Sequence, residues 1–262
     1  MFYYFGYGSN MDMTSLRSKG VLPRTSERAR LWGWRLRFNV RHFFRHEGGV
    51  GNIEPSLDPR CVVWGVVHLC EDFHKERLDA VEAFGHGYDR IEVTVETKRG
   101  GVTAAAYVGI ASFVDDRCLP TRRYLNILVR GATAAGLDPA YIERLRAHPI
   151  HENAPYPRFE HPPGEHPRFT AATLADKPLY TAVFGAVFDM SGARWQHESR
   201  KGFCGGKDMT VFHLRQLDTS DGKETLDDVK HDRLTDEQRR YLTAYLHEYN
   251  AEYAYVGRFD YT

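Results

Sequence analysis

The chain has 262 residues, with 35 basic and 35 acidic side chains and a formal net charge of zero. That balance argues against bulk binding of nucleic acid or of an anionic membrane surface. With 42% apolar and 13% aromatic residues the chain can bury a substantial core, yet it has no apolar run of the roughly 18 residues that a spanning helix needs.

The chain opens with YFGYGSNM at Tyr4–Met11. A short aromatic strand, Phe2 to Phe5, runs into a turn made of Gly6, Gly8, Ser9 and Asn10. Glycine permits tight backbone there, and Ser or Asn can cap a following helix. A loop of this kind offers backbone N–H groups to a carboxylate, a phosphate or a developing oxyanion. The N-terminus reads as this first strand and not as a secretory signal.

Residues 31–40 alternate, with Leu36, Phe38 and Val40 on one face and Arg35, Arg37 and Asn39 on the other, which predicts a half-buried strand. Cys61–Leu69 reads as a nearly continuous apolar strand and Asp72–Ala83 as a helix. Ile91–Glu96 and Thr103–Val108 predict paired strands joined through Lys98–Gly101. Thr121–Ala135 predicts a helix stopped by Gly136. Asp138 and Pro139 then supply the cap and first turn of a helix through Ala147. From His148 to Pro178 stand seven of the twelve prolines, which predicts an extended linker or arm containing the domain boundary. Beyond it, Leu179–Asp189 predicts a strand pair turning near Gly185. Thr235 and Gln238 form a capping box for a helix to about Tyr253 that buries Leu242, Tyr245, Leu246 and Tyr249. The cysteines Cys61, Cys70, Cys118 and Cys204 lack metal-type spacing and read as free thiols of a cytoplasmic protein.

One carboxylate stands out. On the predicted helix, Leu78, Val81 and Glu82 share the inward face. A carboxylate on an apolar stripe costs free energy unless paired or protonated, and a carboxyl group so placed suits acid–base work. Spacing leaves a second reading open, in which Glu82 lies at the helix end near Gly85 and turns to solvent or pairs with Arg90.

Four collinear segments resemble the γ-glutamylcyclotransferase (AIG2-like) family. They are YFGYGSNM, WGVVHL at Trp64–Leu69, LDAVEAFGHGYDRIEV at Leu78–Val93, and LPTRRYLNILVRGATAAGLDPAYIERL at Leu119–Leu145. The resemblance covers residues 1–150. It implies a mixed β-barrel with flanking helices, no cofactor, and release of 5-oxoproline from a small γ-glutamyl substrate. It makes Glu82 the acid/base and Tyr7, Gly8, Ser9 and Asn10 the substrate cradle. Ala83 departs from the glycine that relatives commonly carry. Tyr88 and Tyr124 are further pocket candidates, each equally readable as core. Gly51 and Asn52 read either as a site-lining segment or as a plain turn. Arginines 35, 37, 41 and 45 read as a solvated strand face or as attractants for an anion.

Residues 179–262 are similar to cytochrome b5-like proteins of the membrane-associated progesterone receptor type. The segments are LYTAVFGAVFDMSGARW at Leu179–Trp195, GGKDMT at Gly205–Thr210, LTDEQRRYL at Leu234–Leu242 and EYAYVGRF at Glu252–Phe259. The resemblance implies an α+β module that binds haem or a sterol-like ligand, with Tyr253 lining its pocket. The haem-ligating tyrosine falls near Lys201 here, and the His-Pro-Gly-Gly motif is absent. His197, Cys204 and His213 can in principle ligate iron. Packing, dimerisation or substrate gating is the competing role for this module. The linker histidines 148, 151, 161 and 166, with Glu152, Glu160 and Glu165, carry metal-ligating atoms but in a proline-rich setting that fixes no geometry.

The fold expected is thus α+β in two domains, 1–150 and 179–262, joined by a Pro-rich linker at 151–178. The function expected is cyclisation of a γ-glutamyl amino acid or amine, with no nucleic-acid or membrane partner and a homodimer compatible with the pattern. Two readings compete with it: a haem- or ligand-binding protein on an N-terminal scaffold, and amide hydrolysis giving glutamate.

Overall fold

The aromatic opening forms strand β1 (Phe2–Gly6), the first stave of a closed five-stranded barrel. In this computed structural model, which describes residues 1–261, the chain divides into two compact units, Met1–Glu152 and Asn153–Thr262. The other staves are β2 (Thr25–Trp32), β5 (Val62–Cys70), β6 (Tyr88–Thr97) and β7 (Gly100–Gly109), ordered β1-β5-β2-β6-β7. A parallel contact between Tyr4 of β1 and Ala105 of β7 closes the ring. Strands β3 (Trp34–Arg41) and β4 (Gly49–Pro55) form a separate antiparallel pair.

The near-continuous apolar run of β5 has a physical cause. Val63 and Val67 point into the barrel with Phe5 and Leu31, while Val66 packs outward against Leu125 and Leu128. A strand buried on both faces has no polar side to show.

The expected strand over 31–40 is two strands. Gly33, at φ 76°, turns the chain between β2 and β3. Asn39, expected on the solvent face, is buried. The register shifts between Arg37 and Val40, and the Asn39 amide is fully engaged by Glu54, Asp116 and Asn52.

The loop after β1 also differs from expectation. Ser9 and Asn10 do not cap the helix. A 3-10 turn, Ser9–Met11, comes first, and Asp12 caps α1 (Met13–Ser18) by accepting from the Ser15 N–H at 2.8 Å. Arg130 of α3 (Arg122–Ala134) grips the same carboxylate with two bonds, at 2.7 and 2.8 Å. Thr121 caps α3, and Asp138 with Pro139 starts α4 (Pro139–Arg146). Helix α2 (His74–Glu82) follows β5.

The second unit is α+β. Its sheet runs β11 (Lys207–Asp208), β9 (Tyr180–Val183), β10 (Ala186–Asp189), β12 (Ala254–Phe259), β8 (Arg168–Phe169). Short helices α5 (Ala171–Ala175), α6 (Glu198–Cys204), α7 (Thr210–Leu214) and α8 (Leu226–Lys230) precede α9 (Asp236–Glu252). The Thr235–Gln238 capping box starts α9, which buries Leu242, Tyr245, Leu246 and Tyr249. Part of the proline-rich stretch lies along α9: Tyr156 donates to Glu248 at 2.6 Å and stacks on His247. Among the described residues no helix is long and apolar enough to cross a membrane.

Helix α3 meets the loop after β1 at Gly131. A Cβ there would lie 2.5 Å from the Asp12 nitrogen and 2.6 Å from the Met11 carbonyl carbon. Backbone cannot yield as a flexible side chain does, so Gly131→Ala is expected to cost about 2 kcal/mol of stability. Urea unfolding checks this; an unchanged midpoint would mean that α3 can slide off the loop.

Candidate functional site

The site is built around one amide. Asn10 is buried, and its Nδ2 donates to Glu82 Oε1 at 2.9 Å and to the Tyr4 hydroxyl at 2.6 Å. Its Oδ1 accepts from Lys19 Nζ, which also donates to Ser9 Oγ at 3.0 Å. Its backbone carbonyl accepts from His68 Nε2 at 3.0 Å. A carbonyl cannot donate, so His68 carries its proton on Nε2, and Nδ1 accepts from Ser26 Oγ at 2.8 Å. Four elements, β1, α1, β5 and α2, therefore converge on the expected cradle loop.

Glu82 is the last residue of α2, beyond the fully buried Leu78. The inward-facing and helix-end readings each hold in part. It lies at the end of the helix, yet its carboxylate meets Asn10 rather than turning to solvent. The alternative pairing with Arg90 is not made. Arg90 is taken by Asp79, one turn earlier, and the Tyr107 hydroxyl donates to the same Asp79 carboxylate at 2.6 Å. Among the described residues Glu82 has no ion-pair partner. Ala83 then takes the left-handed conformation, φ 52° and ψ 52°, and the helix ends there. Left-handed backbone favours glycine, so alanine is held there against its own preference.

Tyrosines line the other side. Burial pushes the phenols of Tyr4, Tyr7 and Tyr88 well above their ordinary value, and the Glu82 charge adds to the rise in each. Burial also raises Tyr124, which is pushed up to about 12. All four remain protonated at neutral pH. Tyr88 donates to the Gly51 carbonyl at 2.7 Å, and Tyr124 accepts from the Gly51 N–H at 3.0 Å. A Cβ on Gly8 or Gly51 would come within 2.9 or 3.0 Å of the Tyr124 hydroxyl. Both glycines thus let the backbone approach that hydroxyl closely. Gly51 and Asn52 lie within strand β4, not in a plain turn. Asn52 donates to Asn39 and accepts from the Gly109 N–H, which ties strands together.

The arginines do not gather. Arg35 and Arg37 pair with Glu54 and Asp116, Arg41 donates to the Ser112 carbonyl, and Arg45 sits exposed in a 3-10 turn. In the second unit, His197 Nδ1 meets the Tyr253 hydroxyl at 2.8 Å. His213 Nε2 meets the Tyr249 hydroxyl at 3.0 Å, and its ring stacks on Tyr245 at 3.5 Å. Cys204 is buried, and burial pushes its thiol up. Lys201 pairs with Glu198. Among the described residues no three His, Cys, Asp or Glu side chains gather to hold a metal ion.

The AIG2-like family matches over residues 62–145. A solved structure described as a gamma-glutamyl cyclotransferase is 29% identical, with a TM-score of 0.52, over 58% of this chain and 90% of its own. The first unit is γ-glutamylcyclotransferase-like. An uncharacterized protein from Homo sapiens matches at 28% identity and the same TM-score, again over 58% of this chain and 90% of its own. No curated protein matches the sequence. The chain thus carries a γ-glutamylcyclotransferase-like enzyme unit.

Sequence reasoning about this enzyme unit missed Tyr4, Lys19, His68 and Asp79. Tyr4 stands inside the opening motif, and its place on the face of β1 shared with Phe2 could have marked it. A lysine at the end of α1 reads as a helix-terminal surface residue, and nothing in its spacing betrays its contact with Asn10.

His68 generates a prediction. Burial pushes its imidazole from the ordinary 6.5 down to about 4. Between those values the unfolded chain takes a proton that the folded chain refuses. The stability that neutral His68 contributes is therefore whole above pH 6.5 and lost as pH falls towards 4. Wild type is expected to lose on the order of 2 kcal/mol more than His68→Gln between neutral pH and the lower end of that window. Unfolding curves at the two pH values check it; equal losses would place the titration elsewhere.

Proposed function

We propose that the first unit cyclises a γ-glutamyl amino acid or γ-glutamyl amine to 5-oxoproline and the free amine. The observation that carries this reading is the Glu82 carboxylate. Among the described residues no cation pairs with it, it lies near protonated tyrosines, and Asn10 of the cradle loop holds it at 2.9 Å. A carboxylate used for structure would be neutralised, as Asp79 is by Arg90.

The substrate's neutral α-amine attacks its own γ-carbonyl carbon while Glu82 takes one amine proton. Backbone N–H groups of Tyr7, Gly8, Ser9 and Asn10 supply donors of the type that a tetrahedral oxyanion needs. Glu82 then returns the proton to the γ-amide nitrogen as that C–N bond breaks. One C–N bond forms, one breaks, and no water is consumed. The attack is intramolecular, so folding the glutamyl chain into a ring-like shape supplies much of the rate. Tyr7, Tyr88 and Tyr124 shape the wall against which the chain folds.

The test is a panel of γ-glutamyl amino acids and amines incubated with wild type and with Glu82→Gln, measuring 5-oxoproline. Wild type is expected to release it, and Glu82→Gln to fall by roughly 1,000-fold or more. Glutamate in place of 5-oxoproline would instead establish hydrolysis. Undiminished activity in Glu82→Gln would remove the residue from the mechanism.

For the second unit we infer a packing role and not haem binding. His197 and His213 are held by hydrogen bonds to Tyr253 and Tyr249, inside an aromatic stack along α9. Titration of hemin into the whole protein is expected to give no saturable Soret shift. A saturable shift abolished by His213→Ala would reverse this assignment.

A further inference from the structure

Lys19 follows α1 directly, and the cyclisation just described makes no use of it. Its ammonium reaches back ten residues to Ser9 Oγ and nine to Asn10 Oδ1. Among the described residues no carboxylate forms an ion pair with it. Arg123, whose charge reaches Lys19, is itself taken by the buried Glu47. Burial pushes the Lys19 ammonium down from its ordinary value, and Glu82 opposes that fall. A half-buried ammonium bonded to two neutral acceptors retains a donor that an anion can use.

The arrangement also fixes where that anion lies. Lysine only donates, so Asn10 must turn its oxygen to Lys19 and its nitrogen to Glu82 and Tyr4. A single amide group thus separates a fixed positive charge from a fixed negative one. An α-amino acid head carries the complementary pair, an amine and a carboxylate, on one carbon.

We propose that Lys19 binds the α-carboxylate of the substrate and restricts the enzyme to compounds that carry a free carboxylate beside the reacting amine. This rests on the cyclotransferase reading above. With its carboxylate on Lys19, the substrate lays its amine against Glu82, the group that takes the proton. The Ser9 hydroxyl, bonded to the same ammonium, is a second donor for that carboxylate. Lys19 is on this account a specificity-determining residue contributed by the segment just after the cradle loop.

The test compares a γ-glutamyl anilide with the matching 4-aminobutyryl anilide. The second lacks only the carboxylate and closes to 2-pyrrolidinone. Lys19→Met is expected to lose on the order of 100-fold in kcat/KM on the γ-glutamyl anilide, as loss of a charge-assisted bond implies. Its loss on the 4-aminobutyryl anilide is expected to be at least about tenfold smaller. Lys19→Arg, which keeps the charge, is expected to recover most of the difference. Equal losses on both substrates, or none, would make Lys19 a loop tether and overturn the proposal. If wild type turns over neither anilide, calorimetry decides Lys19, and the cyclotransferase reading fails separately only if the panel of γ-glutamyl substrates above also yields no 5-oxoproline. Binding of 5-oxoproline by wild type and not by Lys19→Met, with 2-pyrrolidinone bound by neither, would uphold it. Equal binding by the two proteins, or no binding, would overturn it.

Discussion

The Asn10 side chain is the constraint on which the N-terminal unit's site depends. Its residue joins two strands to the ends of two helices through four hydrogen bonds, counting the carbonyl bond from His68. An amide has donors at one end and an acceptor at the other. Lys19 and Glu82 therefore cannot exchange places around it, and the loop has one orientation. Asp12, two residues on, anchors the same loop from the other side by capping α1 and holding Arg130 of α3. The backbone of residues 7–10 is thereby carried on a frame fixed at both ends.

The allocation of charge around α2 gives that frame its chemistry. Asp79 and Glu82 are three residues apart on one helix, yet their environments differ. Asp79 receives Arg90 and the Tyr107 hydroxyl, while Glu82 receives a neutral amide. Had Arg90 reached Glu82, the carboxylate would be a structural counter-ion. The helix ends at a left-handed Ala83, and the chain turns there before entering β6. Chain termination and charge allocation together leave one carboxylate available beside the cradle.

Much of this unit was legible in the sequence. The Thr121 and Asp138 caps and the doubly buried run of β5 are local or nearly local signals, and each of those elements formed close to where its signal put it. Glu82 stood out because a carboxylate on an apolar helix face is anomalous in any fold. The failures share one cause. Asn39 was assigned to solvent by alternation, but a register shift and three polar partners from distant segments buried it. Ser9 and Asn10 had the right chemistry for a cap, but a 3-10 turn moved the helix start to Asp12.

The sequence by itself determined most of the elements and their order, because periodicity and capping are properties of neighbours along the chain; it marked Glu82 only as an out-of-place charge, and the acid/base role came from the family resemblance. Only the tertiary structure decided which charges meet. Arg90 goes to Asp79, Asn52 ties strands together, and His68 and Lys19 converge on Asn10 from positions 58 and 9 residues away. Hydrogen bonds and ion pairs act over a few ångströms of space, and closure of the barrel, not spacing in the chain, brings those residues within reach of one another.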